Sequence, residues 1–153
     1  MSVSDGDKAP DFSMAASFGR TVSLAGQRGK PFVLYFYPKA DTPGCTREAC
    51  AFEESLPRFG DIAVIGVSPD AMAPIEKFAK KHNLTFPLAA DPDHDVATAY
   101  GVWVEKSMYG RTYMGIERST FLIDAKGRIA RAWRKVKVDG HAAEVMAAAA
   151  ALT

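Results

Sequence analysis

The chain has 153 residues, 48% hydrophobic and 24% charged, which is enough for one domain with a full core. Its 19 basic and 18 acidic residues are spread along the sequence and leave a formal net charge of +1, so no basic patch points to nucleic acid or anionic lipid. No stretch approaches a membrane span, and the start, Met1-Ser-Val-Ser-Asp-Gly-Asp7, has neither the basic nor the apolar region of an export signal. The expectation is a single domain over 1–153 in the cytoplasm, where thiols are kept reduced.

Residues 9–14 and 20–24 read as short extended pieces, a hairpin-like N-terminal extension covering an edge of the sheet rather than forming its core. The run 32–37, Phe-Val-Leu-Tyr-Phe-Tyr, is too short for a helix and rich in strand formers, which suits a strand buried on both faces. Pro38, Pro43 and Gly44 then force a turn. Thr42 stands where an N-cap oxygen serves and Pro43 at the first helical position, so Cys45 falls in the first turn of a helix expected over 44–55, stopped by Pro57. At that place unpaired N–H groups and the positive end of the helix dipole favour a thiolate over a thiol.

A second buried strand follows at 62–67, completing a right-handed βαβ unit. Residues 71–82 set Met72, Ile75, Phe78 and Ala79 on one helical face, and Glu76, Lys77, Lys80 and Lys81 on the other. A short strand at 86–89 and a short helix at 93–100 lead into 101–117, read as a long loop. Within it Trp103, Met108, Tyr109 and Tyr113 are assigned to core or loop packing, the alternative being the border of an entrance or a partner surface. Residues 119–123 and 128–133 form a hairpin around 124–127, with Gly127 at a position suited to positive φ. An alanine-rich helix over 139–152, apolar along Ala142, Val145, Met146 and Ala149, closes the chain.

This order predicts an α/β, thioredoxin-like fold: a mixed central sheet flanked by helices, with an N-terminal β extension. In open α/β sheets the working site lies beyond the carboxyl ends of the central strands, where 38–45 falls. If the strand from Ser119 runs antiparallel to the strand from Phe32, Arg118 faces Cys45.

The motif Pro38-x-x-x-Thr42-x-x-Cys45 and the segment Glu117-Arg-Ser-Thr-Phe-Leu-Ile-Asp124 resemble the active-site motif and the arginine-bearing strand of the peroxiredoxins. The longer string from Tyr37 to Cys50 is similar to the bacterioferritin comigratory, or Q-type, group, whose second cysteine lies five residues beyond the first; Ala40 stands where that group usually has an acid or amide. The resemblance implies a thiol peroxidase acting on hydrogen peroxide and small alkyl hydroperoxides. Cys45 would be the peroxidatic cysteine and Cys50 the resolving one, with Thr42, Arg118 and Pro38 around them, thioredoxin as reductant, no cofactor, and a monomer.

Physical reasons support each role. Attack on an O–O bond needs a thiolate, and an ordinary cysteine, with a pKa of about 8.5, is only slightly ionised at neutral pH. Arg118 supplies a permanent charge with a planar fork, the Thr42 hydroxyl can align a peroxide, and Pro38, lacking an N–H, can wall the pocket. Other readings remain. Cysteines on helices are usually small buried hydrophobes. Zinc is poorly served by Cys-x4-Cys with His82, His94 and His141 as the sole histidines. A dithiol-disulfide oxidoreductase is weakened by the missing Cys-x-x-Cys, and a redox sensor on the same fold would show no turnover.

Overall fold

The computed structural model describes residues 3–60 and 62–152. Nine strands and four helices follow one another as β1 (Ser13–Ala16), β2 (Arg20–Ser23), β3 (Phe32–Phe36), α1 (Pro43–Phe59), β4 (Ala63–Ser68), α2 (Met72–Lys81), β5 (Leu88–Ala90), α3 (Asp95–Ala99), β6 (Trp103–Met108), β7 (Arg111–Ile116), β8 (Ser119–Ile123), β9 (Ile129–Trp133) and α4 (His141–Ala150) among the described residues. Seven strands form one sheet in the order β2-β1-β5-β4-β3-β8-β9. Strands β3, β4 and β5 run parallel, and β8 lies antiparallel to β3 with Phe36 opposite Ser119. That register sets Arg118, one residue ahead of β8, beside the carboxyl end of β3. This is the thioredoxin-like, mixed-sheet arrangement expected.

The pleat of β3 divides the interior into two cores. Val33, Tyr35 and Tyr37 point to the side covered by α1, α2 and α4, packing with Cys45, Ala49, Phe52, Phe78 and Val145. Phe32, Leu34 and Phe36 point the other way, to Phe12, Val22, Tyr100 and Ile116. Tyr35 stacks on Phe52 at 4.7 Å, which fixes the cysteine helix on the sheet. Its ring requires a glycine next door on β4: a Cβ on Gly66 would stand 2.8 Å from both the Tyr35 ring and Leu88 Cδ2.

Three expectations need correction. Residues 9–24 do more than cover an edge, because β1 and β2 extend the sheet through Ala16 opposite Ala89 and bury Phe12, Met14, Ala16 and Val22. Helix α1 does not stop at Pro57 but runs on to Phe59 and ends at Gly60, whose φ is +64°. Pro57 is exposed within the final turn, so the carbonyl it leaves without an N–H partner can be solvated.

Finally, the loop expected at 101–117 is a two-stranded sheet, β6 against β7, closed by Tyr109 and Gly110 at φ +51° and +77°. It carries Met108, Tyr109 and Tyr113 exposed, Tyr109 at 96%, so these three are not core. Trp103 does pack, its ring stacked on His94 at 3.9 Å. Among the described residues no helix is long and apolar enough to cross a membrane.

Candidate active site

Cys45 is the third residue of α1 and is 1% exposed. The helix begins there because Thr42 is extended and Pro43 has its φ preset, while the Thr42 carbonyl accepts the first helical bond, from Thr46 N–H at 2.8 Å. The Thr42 hydroxyl, however, does not cap the helix. It donates to the Lys39 carbonyl at 2.8 Å, so its proton is engaged within the turn while its lone pairs remain available as acceptors. With no side-chain cap, the N–H groups of Gly44 and Cys45 in the first turn are left for an anion.

Arg118 reaches this point from the other side. Its Nη2 lies 3.3 Å from Cys45 Sγ and its Nη1 donates to Glu48 Oε1 at 2.6 Å, so one guanidinium bridges thiol and carboxylate. Gly44 makes room for the approach: a Cβ there would stand 3.3 Å from Arg118 Nη2. The structure thus brings Cys45 and Arg118 together as the antiparallel register required. Pro38 is half-buried in the same turn. Among the described residues no hydrogen bond links the Thr42 hydroxyl to the Cys45 sulfur.

Cys50 lies on α1 as well, half-buried, and both thiols are free. Five residues along a regular helix separate Cα atoms by roughly 8 to 9 Å and rotate the side chains by about 140°. The two sulfurs therefore face different surroundings. Burial pushes the Cys50 thiol pKa up, and Glu54 and then Glu53 push it further.

Sequence reasoning missed Glu48, which is 1% exposed on the buried face of α1 that also carries Cys45, Ala49 and Phe52. An acid three residues after the cysteine, interrupting an apolar stripe, was the available signal. Burial raises its carboxyl pKa to about 7, outweighing Arg118, which pulls it down. Its Oε2 and the hydroxyl of Tyr35 are buried without a hydrogen-bond partner among the described residues.

Two further groups stand near. Lys106, inside the segment read as a loop, lies within electrostatic reach of Arg118, Glu117 and Cys45, and burial followed by Arg118 lowers its pKa. His141 sits under α1 at the start of α4, its Nε2 2.7 Å from Thr120 Oγ1, and burial lowers its pKa to about 4.

This geometry provides a buried sulfur at a helix start, a charged fork on it, and two N–H groups beside it, an arrangement built to hold a thiolate and an oxygen anion together. Residues 6–132 match the AhpC/TSA family. The chain is 51% identical over 148 residues to peroxiredoxin Bcp of Bacillus subtilis, covering 95% of this chain and 94% of that one. Among solved structures, a PrxQ mutant of Xylella fastidiosa superposes with a TM-score of 0.93 at 39% identity, covering 99% of this chain and 98% of the other. The bacterioferritin comigratory protein of Xanthomonas campestris, studied for its alkyl peroxide reduction activity, superposes at 0.87 with 42% identity, over 92% and 90% of the two chains.

Proposed function

Because the chain belongs to the AhpC/TSA family and is a peroxiredoxin, a thiol peroxidase that takes a peroxide and a thiol reductant, we propose that Cys45 is its peroxidatic cysteine and Cys50 its resolving cysteine. The observation that carries this assignment is the Arg118 Nη2 contact at 3.3 Å to a buried sulfur in the first turn of α1. The Cys45 thiolate attacks one peroxide oxygen in line with the O–O bond. An S–O bond forms, the O–O bond breaks, and the leaving oxygen departs as water or alcohol with a proton, giving a sulfenic acid at Cys45.

Arg118 and the N–H groups of Gly44 and Cys45 hold the charge that moves from sulfur to oxygen. Thr42 takes part as an acceptor: with its own proton on the Lys39 carbonyl, its oxygen receives the peroxide hydrogen and orients the substrate. Pro38 closes the pocket without competing for these bonds. Glu48 holds the second arm of the guanidinium, so the fork stays aimed at sulfur.

In the second step the Cys50 thiol attacks the sulfenic sulfur, the S–S bond forms and water leaves. A disulfide needs Cα atoms within about 7 Å and converging side chains, which a wound α1 does not offer, so its first turns unwind before the bond closes. Unwinding also presents the disulfide to a dithiol protein, for which we take thioredoxin. The substrates are hydrogen peroxide and small alkyl hydroperoxides, in keeping with the Xanthomonas relative. Residues 1–153 act as one domain, as a monomer in the cytoplasm, and sulfur alone carries the electrons.

The test is peroxide consumption with thioredoxin, its reductase and NADPH. Turnover is expected. Stoichiometric oxidation of the thiols without turnover would instead mark a redox sensor.

A further inference from the structure

The turn carrying Pro38 and Thr42 is held from two sides. At Ala40 the backbone N–H donates to Asp70 Oδ2 at 2.7 Å, an oxygen that also accepts from Ser68 Oγ at 2.9 Å. At Asp41, the residue before the helix N-cap, the chain is left-handed with φ +61°, and the carboxylate reaches across to the end of α2. There Lys81 Nζ donates to both oxygens, at 3.0 and 3.3 Å, and His82 Nε2 stands 3.1 Å from Oδ1. The His82 ring is set edge-on to Phe78 at 5.4 Å, and Phe78 is tilted against Tyr37 at 6.2 Å, immediately before the turn. The imidazole is therefore fixed relative to the segment it holds. Among the described residues Asp41 bonds to neither Cys45 nor Arg118, so the thiol chemistry gives it no task.

We propose that Asp41, through Lys81 and His82, is a positioning residue that keeps this turn closed over the wound start of α1 and so decides the fate of the Cys45 sulfenic acid. The proposal rests on the peroxidase reading above. Two reactions compete for that sulfur. With α1 wound, the sulfenate attacks a second hydroperoxide: another S–O bond forms, the O–O bond breaks, and a sulfinate and an alcohol or water result. With α1 unwound, the Cys50 thiol attacks, the S–S bond forms, the S–O bond breaks, and hydroxide leaves as water with the thiol proton. Because Asp41 lies at the upstream end of the segment that must unwind, its ties to α2 favour the wound state and hence the first reaction. Releasing them shifts the balance toward the disulfide.

Asp41→Asn tests this, since asparagine tolerates the left-handed backbone but loses the charge. The full chain is oxidised with graded hydrogen peroxide in the absence of reductant, and the sulfinate-to-disulfide ratio is read by mass. At a given peroxide concentration the ratio is expected to fall about two- to five-fold, the scale of an exposed ion pair, with the rate of first oxidation unchanged within about twofold. In a Lys81→Met/His82→Gln background the same substitution should add nothing, because its partners are gone. Raised salt should lower the ratio in the wild type and leave Asp41→Asn unmoved. An unchanged ratio in Asp41→Asn, or an equal shift in the background lacking both partners, overturns the proposal while leaving the peroxidase reading in place. A wild-type chain that yields neither product overturns that reading and the proposal with it.

Discussion

Cys45 and Cys50 share one helix and have opposite surroundings. The first is buried, at the positive end of α1, in contact with the Arg118 cation. The second is half-buried in mid-helix, its thiol pKa pushed up by burial and by the carboxylates of Glu54 and Glu53. Five positions of helix thus separate a sulfur set against a guanidinium at the helix start from one whose surroundings favour the neutral thiol. Both residues are cysteines, so position in the fold alone sets them apart.

The largest effect should come from erasing one side of that contrast. Cys45→Ser is expected to bring peroxide consumption down to the rate without protein, because serine is too weak an acid and Cys50 lacks the arginine. Cys50→Ser should keep the first oxidation and lose turnover with thioredoxin, stopping at sulfenic or sulfinic acid, as mass spectrometry after one equivalent of peroxide would show. Turnover in Cys45→Ser would exchange the roles.

Next comes the cation. Arg118→Ala removes the charged contact and should slow first oxidation about a hundredfold, while Arg118→Lys restores charge without the fork and recovers only part. Stopped-flow oxidation of both variants, with circular dichroism to confirm folding, checks this. Rates equal to the wild type would reduce Arg118 to a surface charge.

Glu48 sharpens the comparison through pH. Its carboxyl titrates at about 7 in the folded chain, above its ordinary 4.5, so between those values the folded state binds more protons than the unfolded one. The stability this group contributes is present in full below about 4.5 and is lost as pH rises through about 7. Glu48→Gln should flatten that part of the stability profile in denaturant titrations from acid to neutral pH. A slope identical to the wild type would mean the carboxyl is not held as described.

The smallest effect is steric. Gly44→Ala places a Cβ 3.3 Å from Arg118 Nη2, so the guanidinium must shift by a few tenths of an ångström. First oxidation should slow by a few-fold, roughly the cost of one misaligned charged contact. No change would show that the fork has slack.

How much of this was written in the sequence depends on how local the signal is. The strand–turn–helix of 32–45 was legible because an apolar run and three turn-formers, one of them the proline that opens the helix, lie within fourteen consecutive positions. Arg118 was legible on the one condition that β8 pairs antiparallel to β3, and the structure meets that condition. The β6–β7 hairpin was hidden for the opposite reason. Most of its side chains are at least partly exposed, so no alternating apolar face is inscribed, and its turn uses Tyr109-Gly110 instead of an asparagine or aspartate before glycine. Glu48 escaped notice because an acid on a helix usually faces water, and only the fold brings Arg118 to it. Thr42 does occupy the N-cap position, but its hydroxyl is turned to donate to the Lys39 carbonyl and its oxygen accepts from none of the first N–H groups of α1, an orientation the sequence does not encode.

The central claim is that the two cysteines start on a continuous helix and meet only when it opens. Hydrogen exchange on the reduced and disulfide forms, with the Cys45–Cys50 bond verified by mass, tests it most directly. Faster exchange confined to residues from about 45 to about 52 in the disulfide form is expected, because those amides give up their helical bonds. Equal protection in both forms would contradict it, since the bond would then have closed without the helix opening.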